Sequence, residues 1–278
     1  MMQKEQVVEM AKRMRLKALD LAYAAGKTGA HLGGALSAVE ILAALYGGVA
    51  RVDAKDPGKE ERDRILIGKA HCVLAYYTAL YEIGYLTEEE LNMFEQDGAF
   101  LTGHPQKDVC RGIEYAGGSL GMALSVGAGM ALHAKRRAKE QRVYVLLGDG
   151  ECEEGAVWES MLFASKYRLD NLIAIIDRNH LQSDGSTLAV AGLDRLSEKA
   201  EAFGWKAVCV DGHDVGQLME AYCAGTDGRP LAVIADTVKG KGVSFMENDP
   251  SWHHAELNEE LYRKARREVE EEDGACRR

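Results

Sequence analysis

Val143-Tyr144-Val145-Leu146-Leu147-Gly148-Asp149-Gly150-Glu151 is the stretch that decides the fold. Its first five residues are apolar without polar alternation, the pattern of a parallel strand covered on both faces. Gly148 and Gly150 then let the backbone turn sharply and approach a ligand closely. A helical stretch follows at about 155–167. Its free N–H groups and the positive end of its dipole suit an anion.

Working outward, similar short apolar runs recur at Arg64–Ile67, Leu172–Ile176, Ala207–Val210 and Leu231–Ala235. Helical patterns separate them at about 119–139, 193–203 and 213–224. Strand alternating with helix predicts an α/β fold, a doubly wound parallel sheet flanked by helices. Ligands of such sheets bind beyond the carboxyl ends of the strands. Val7, Met10, Ala11, Met14, Ala18 and Leu21 fall at helical spacing and predict an amphipathic first helix. Ser37–Glu40 and Thr87–Glu90 read as capping boxes, with the helix opened by the first stopping at Gly47-Gly48. No repeat or linker divides the chain, so residues 1–278 are expected to form one domain, with 269–278 a mobile charged tail.

The 278 residues carry a net charge of -10, and 46% of them are hydrophobic. Mean hydropathy is -0.25. That balance suits a globular core and disfavours nucleic acid or an anionic membrane as partner. No run approaches the ~18 apolar residues of a membrane span, and the amphipathic N-terminus is not expected to be a signal peptide. The six cysteines form no CxxC pair. They read as reduced, mostly buried thiols in a reducing, cytoplasmic setting rather than a zinc site or disulfide framework.

Asp149 at one strand tip could hold a hard cation. The next strand ends in Asp177-Arg178-Asn179-His180-Leu181, so Asn179 stands one strand-helix-strand unit later. A carboxylate, an amide oxygen, a backbone carbonyl and phosphate oxygens form a ligand set that Mg²⁺ favours. Either segment alone reads as an ordinary turn. The pair, at this spacing, is far more specific.

Together they resemble the thiamine-diphosphate signature, and Gly148–Ser160, Asp170–Ile173 and Asp177–Gly185 are similar to its transketolase branch. Gly26–Leu36, Gly68–His71, Gly103–Pro105, Lys239–Gly242 and Ser251–His253 match further transketolase landmarks in order. The resemblance implies that Asp149, Asn179 and the Leu181 carbonyl bind Mg²⁺ (or Ca²⁺), which clamps the cofactor's diphosphate. It implies that Gly148 and Gly150 face that diphosphate and that Gly118 and Leu120 touch the aminopyrimidine. Ser119 stands where Pro is common, which suggests a less rigid loop. His31, His71, His104 and His253 would line the substrate channel, orienting hydroxyls and assisting proton transfer, with Lys239 a cation nearby. His253 and His254 compete for the inward direction, and His253 is favoured. His133, His180 and His213 read as structural. Glu154 and Glu159 would join a carboxylate network across a subunit interface.

The resemblance also implies an activity: moving a two-carbon ketol unit from a ketose phosphate to an aldose phosphate, as in the pentose phosphate pathway. Thiamine diphosphate is then the cofactor. A separately encoded C-terminal subunit would supply the pyrimidine-binding domain and its Glu, in an α2β2 assembly. Alternatives are a deoxyxylulose-phosphate-synthase-like or E1-type subunit, a transketolase specialised for an unusual sugar, and a non-catalytic module that kept the fold. A generic nucleotide-binding domain is weaker, because no GxGxxG or Walker loop follows a strand.

Overall fold

The computed structural model describes residues 1–276. Its centre is a five-stranded sheet in the order β1-β2-β3-β7-β6, parallel at every pairing. The strands are β1 (Arg64–Ile67), β2 (Val143–Gly148), β3 (Leu172–Arg178), β6 (Lys206–Asp211) and β7 (Leu231–Asp236). All five apolar runs are therefore strands. A two-stranded antiparallel hairpin, β4 (Leu181–Gln182) with β5 (Gly185–Ser186), follows β3.

The helices are α1 (Lys4–Ala24), α2 (Leu32–Leu36), α3 (Val39–Ala43), α4 (Val73–Glu82), α5 (Glu88–Asn92), α6 (Met122–Arg136), α7 (Gly155–Lys166), α8 (Thr187–Val190), α9 (Leu196–Ala202), α10 (Val215–Tyr222) and α11 (Glu259–Cys276). Side chains alternate across each strand, and the two faces bury different partners. Tyr144, Leu146, Ile173, Ile175, Leu231 and Val233 pack with α1, α3, α4 and α10. Val143, Val145, Leu147, Leu172, Ala174 and Ile176 pack with α6, α7 and α9 on the other face. This is the doubly wound sheet that the apolar runs predict.

The winding places the ligand crevice. The chains leaving β1 and β7 enter helices on the α1 face, and those leaving β2 and β3 enter helices on the α7 face. The connections therefore change face between β1 and β2, and again between β3 and β7. Loops splay apart at such points and open a crevice at the strands' carboxyl ends.

Some local expectations fail for identifiable reasons. Thr87–Glu90 is a capping box, but Ser37–Glu40 is not. The Ser37 hydroxyl donates to the Gly34 carbonyl and to Asp177 at 2.7 Å, while Glu40 pairs with Arg15 at 2.8 Å. The segment beyond α3 does not stop at Gly47 but continues as a π-helical turn over Ala44–Val49. In the segment expected to be a charged tail, α11 runs through Cys276, and Val269 is buried against the core. Arg277 and Arg278 lie outside the described residues. Cys72 and Cys152 are buried, but Cys110, Cys209 and Cys223 are exposed free thiols. Cys209 lies on β6, the edge strand of the sheet. No described helix is long and apolar enough to cross a membrane.

Candidate active site

The tips of β1, β2, β3 and β7 open into one cavity of about 260 Å³. Ten of the residues singled out in the sequence line it: His71, Leu120, Gly148, Asp149, Gly150, Glu154, Asn179, Leu181, Lys239 and His253. Asp149 and Asn179 sit on neighbouring parallel strand ends, where Gly148 is in register with Asp177. The Asp149 carboxylate accepts from the N–H of Gly150 at 2.9 Å and of His180 at 2.6 Å. The Asn179 side-chain oxygen accepts from the Leu181 N–H at 3.1 Å. Burial, reinforced by nearby Asp177, pushes the Asp149 carboxyl up to about 6. A buried carboxylate in that state favours a cation beside it.

No cluster of three His, Cys, Asp or Glu side chains among the described residues could hold a metal ion. One carboxylate, one amide and one carbonyl suit a hard cation whose remaining ligands are ligand oxygens or water. Two lysines face the same space. Lys239 donates to the Leu181 carbonyl at 3.0 Å and lies 3.1 Å from His253 Nδ1. Burial, with repulsion from Lys69, lowers its amine to about 8. The buried Lys69 ammonium pairs with Asp177 and donates to Ser37 Oγ at 3.1 Å. Ammonium groups beside a glycine-flanked turn are the kind of partner that phosphate oxygens take.

Sequence reasoning passed over Glu151. It is buried, accepts from the N–H of Gly121 at 2.9 Å and of Gly148 at 3.2 Å, and is pushed by burial up to about 7. It thereby ties the Leu120–Gly121 loop to the tip of β2. Gly121 sits at φ 81°, a conformation other residues reach only with strain. Lys69 and Asp177 were given no role either; each was marked only by lying in a matching run, Gly68–His71 and Asp177–Gly185.

The remaining predicted residues divide. His31 and His104 line a second, adjoining cavity of about 410 Å³ rather than the first. The His31 ring joins the two cavities, 5.5 Å from the rings of both His71 and His253 and 5.7 Å from that of His104. Gly34 makes room for this cluster, since a β-carbon there would meet the His71 ring at 2.9 Å. His254, although exposed, also borders a cavity. Its ring lies 4.5 Å from His31 and lines the second cavity while His253 lines the first. The backbone becomes extended at His254, so the adjacent rings diverge. Gly118 does not line either cavity; it is on the exposed loop beside Leu120. His213 is structural: Nδ1 lies 2.9 Å from Glu40, and Nε2 accepts from the Val238 N–H at 2.9 Å.

Burial comes first among the causes that hold His31 down to about 3 and His253 to about 4, and His71 falls well below its ordinary range for the same reason. These imidazoles stay neutral near pH 7, able to donate and accept at once. Their suppressed proton uptake sets a pH dependence. The unfolded chain binds more protons than the folded one between about pH 6.5 and the folded values, so stability falls as pH falls through that window. Glu40, held at about 2 against burial by Arg15 and His213, adds a separate loss below about pH 4.5. Asp149 and Glu151, whose raised carboxyls favour the folded chain as pH falls, oppose this, but three suppressed histidines outweigh two carboxyls, so the thermal midpoint of the isolated chain is expected to drop between about pH 6.5 and 4.5. His31→Gln should flatten that limb; an unchanged slope would contradict the assignment.

The family model described as "Transketolase, thiamine diphosphate binding domain" matches residues 6–273. A relative from Phocaeicola vulgatus, named as one subunit of an apulose-4-phosphate transketolase, is 39% identical over 97% of this chain and 96% of that protein. A relative from Clostridium sp., named as one subunit of a 6-deoxy-6-sulfo-D-fructose transketolase, is 39% identical over 89% of this chain and 91% of that protein. "Transketolase" of Homo sapiens is 40% identical over 88% of this chain, which spans 39% of its length. Among solved structures, transketolase from Leishmania mexicana superposes with a TM-score of 0.88 at 27% identity, over 95% of this chain and 41% of that one.

Proposed function

The chain belongs to the transketolase thiamine diphosphate-binding family, and from that premise we propose that it is the cofactor-holding subunit of a cytoplasmic transketolase. The enzyme moves a two-carbon ketol unit from a ketose phosphate to an aldose phosphate, in metabolism of the pentose phosphate kind. The observation that carries this reading is the delivery of Asp149, Asn179 and the Leu181 carbonyl to one cavity that also holds Lys69, Lys239, His71 and His253.

Asp149, Asn179 and the Leu181 carbonyl hold Mg²⁺ (Ca²⁺ is the alternative), and Lys69 and Lys239 offset the charge of the diphosphate. Thiamine diphosphate, when bound, supplies the electron sink for breaking and remaking a carbon–carbon bond beside a carbonyl. Neutral His71 and His253 orient substrate oxygens and hold protons at the mouth of the cofactor cavity. His31 and His104 do the same further out. Leu120, which lines the cavity, would border the aminopyrimidine, with Gly118 two residues before it on the exposed loop outside the cavity.

A C-terminal subunit supplies the pyrimidine pocket and its Glu, in an α2β2 assembly. The names of two relatives as transketolase subunits support this. Its seat is the exposed apolar surface of Leu120, Met122, Val126, Leu162 and Phe163, continuous with the cavity through Leu120. Glu154 and Glu159 lie at the same face and join the carboxylate network there. A second reading keeps the chemistry and changes the sugar. The same two names, with apulose 4-phosphate and 6-deoxy-6-sulfo-D-fructose, favour an unusual one.

The chain mixed with its partner, thiamine diphosphate and Mg²⁺ is expected to form sedoheptulose 7-phosphate from xylulose 5-phosphate and ribose 5-phosphate, and neither protein should do so alone. Transfer from pyruvate only would replace this reading with an E1-type or synthase-type one.

A further inference from the structure

We infer that the second cavity is an acceptor subsite that reads hydroxyl groups and rejects anions, with Glu95 and His254 as its specificity-determining residues; this rests on the function proposed above. The cavity lies beside the cofactor cavity, with the His31 ring 5.5 Å from the rings of His71 and His253 that line the first. Glu95, the hydroxyls of Thr28 and Thr102, the Gln106 amide and the rings of His31, His104 and His254 give it its polar groups, and among the described residues no Lys or Arg lines it.

Glu95 is fixed there. Its backbone is left-handed at φ 57°, which costs energy for a residue with a side chain and persists only when surroundings hold it. Hydrogen bonds on both sides of the residue do the holding. The Glu95 N–H donates to the Leu101 carbonyl at 3.0 Å, and the carboxylate accepts from the Gly103 N–H. Tyr77 donates to the Thr102 carbonyl at 2.9 Å, and the Thr102 hydroxyl donates to the His104 carbonyl at 2.8 Å. The turn that presents His104 is thus built around the Glu95 carboxylate.

A carboxylate offers about four lone-pair positions, and one N–H leaves capacity for a ligand. It accepts only, whereas a neutral imidazole both donates and accepts. Sugar hydroxyls match that mixture, because each can donate to Glu95 while accepting from a ring N–H. A phosphate or carboxylate in the same place meets a like charge with no lining cation to offset it. His254 narrows the cavity by meeting the His31 ring edge-on and packing against Gly29, whose β-carbon position lies 3.0 Å from its ring.

The test uses the assembled enzyme, this chain with its partner subunit, thiamine diphosphate and Mg²⁺, and compares D-glyceraldehyde, propanal and glyoxylate as acceptors. The wild type should favour glyceraldehyde over propanal by at least about tenfold in kcat/KM, a modest fraction of the roughly 10⁴–10⁵-fold by which a site built entirely around a hydroxyl rejects the analogue lacking it. Glu95→Gln should raise KM for glyceraldehyde about tenfold, leave propanal within about twofold, and gain rate with glyoxylate. His254→Gly should narrow the glyceraldehyde preference in the same direction. Equal losses with all three acceptors, or none, overturn the proposal. An assembly that transfers to no aldehyde removes the function proposed above instead. The subsite is then decided on the chain alone, by histidine-ring NMR during titration with D-arabinitol and D-arabinonate. Shifts of His31, His104 and His254 with the polyol alone support it, and binding of the anion as tight as the polyol, or no polyol shift, overturns it.

Discussion

Asp149→Ala is expected to abolish Mg²⁺-dependent binding of thiamine diphosphate, weakening it by more than the 10–100-fold that follows loss of a residue that only orients a metal ligand. The fold should survive. Burial and Asp177 disfavour the charge of Asp149 in the cation-free chain, raising its carboxyl from 3.8 to about 6. With the folded value above the unfolded one, this group costs stability progressively as pH rises from about 4 through about 6. Removing the charge relieves that cost, against the loss of acceptors for the N–H groups of Gly150 and His180. Asp149→Asn preserves the shape and isolates the charge. Calorimetric titration with cofactor and Mg²⁺ in the presence of the partner measures the affinity, and thermal melts of the isolated chain measure the fold. A variant that binds as the wild type does, with the same metal requirement, rejects the cation assignment.

The sheet was legible because its strands are short runs without polar residues, and only burial on both faces explains five of them alternating with helical periods. Asp149 and Asn179 were legible because parallel strands in sequence are neighbours in space. What stayed hidden depends on contacts between distant segments. Ser37 and Glu40 have the spacing of a cap, yet each is drawn away by a partner that no local pattern names: Asp177 for one, Arg15 and His213 for the other. Lys69 and Asp177 are 108 positions apart, and neither has a periodicity that announces the other. The histidine pair shows the opposite error. Adjacent side chains were expected to exclude one another, but the backbone changes conformation between them, and each ring finds its own cavity. Glu95 carried no motif at all; its meaning lies in a backbone angle.

Asp177→Ala should produce the largest loss of stability of any single substitution near the site. Asp177 is fully buried, and Ser37 donates to it at 2.7 Å. Thr237 and the Lys69 ammonium donate to it as well. Burial pushes its carboxyl up, but Lys69 outweighs that and leaves it below the ordinary range. Truncation strands the ammonium of Lys69, itself only 1% exposed, without its counter-ion. Breaking a buried pair from one side costs about 3–5 kcal/mol, whereas replacing both members by apolar groups of similar volume is often neutral or stabilising. The double variant Lys69→Met with Asp177→Leu should therefore recover most of the stability that the single variant loses in urea denaturation. It should not recover cofactor affinity, because Lys69 also lines the cofactor cavity. That divergence separates the two roles of the pair. If the double variant binds thiamine diphosphate normally, Lys69 serves the fold alone. If it is as unstable as Asp177→Ala, the hydroxyls of Ser37 and Thr237, left without their acceptor, outweigh the ion pair.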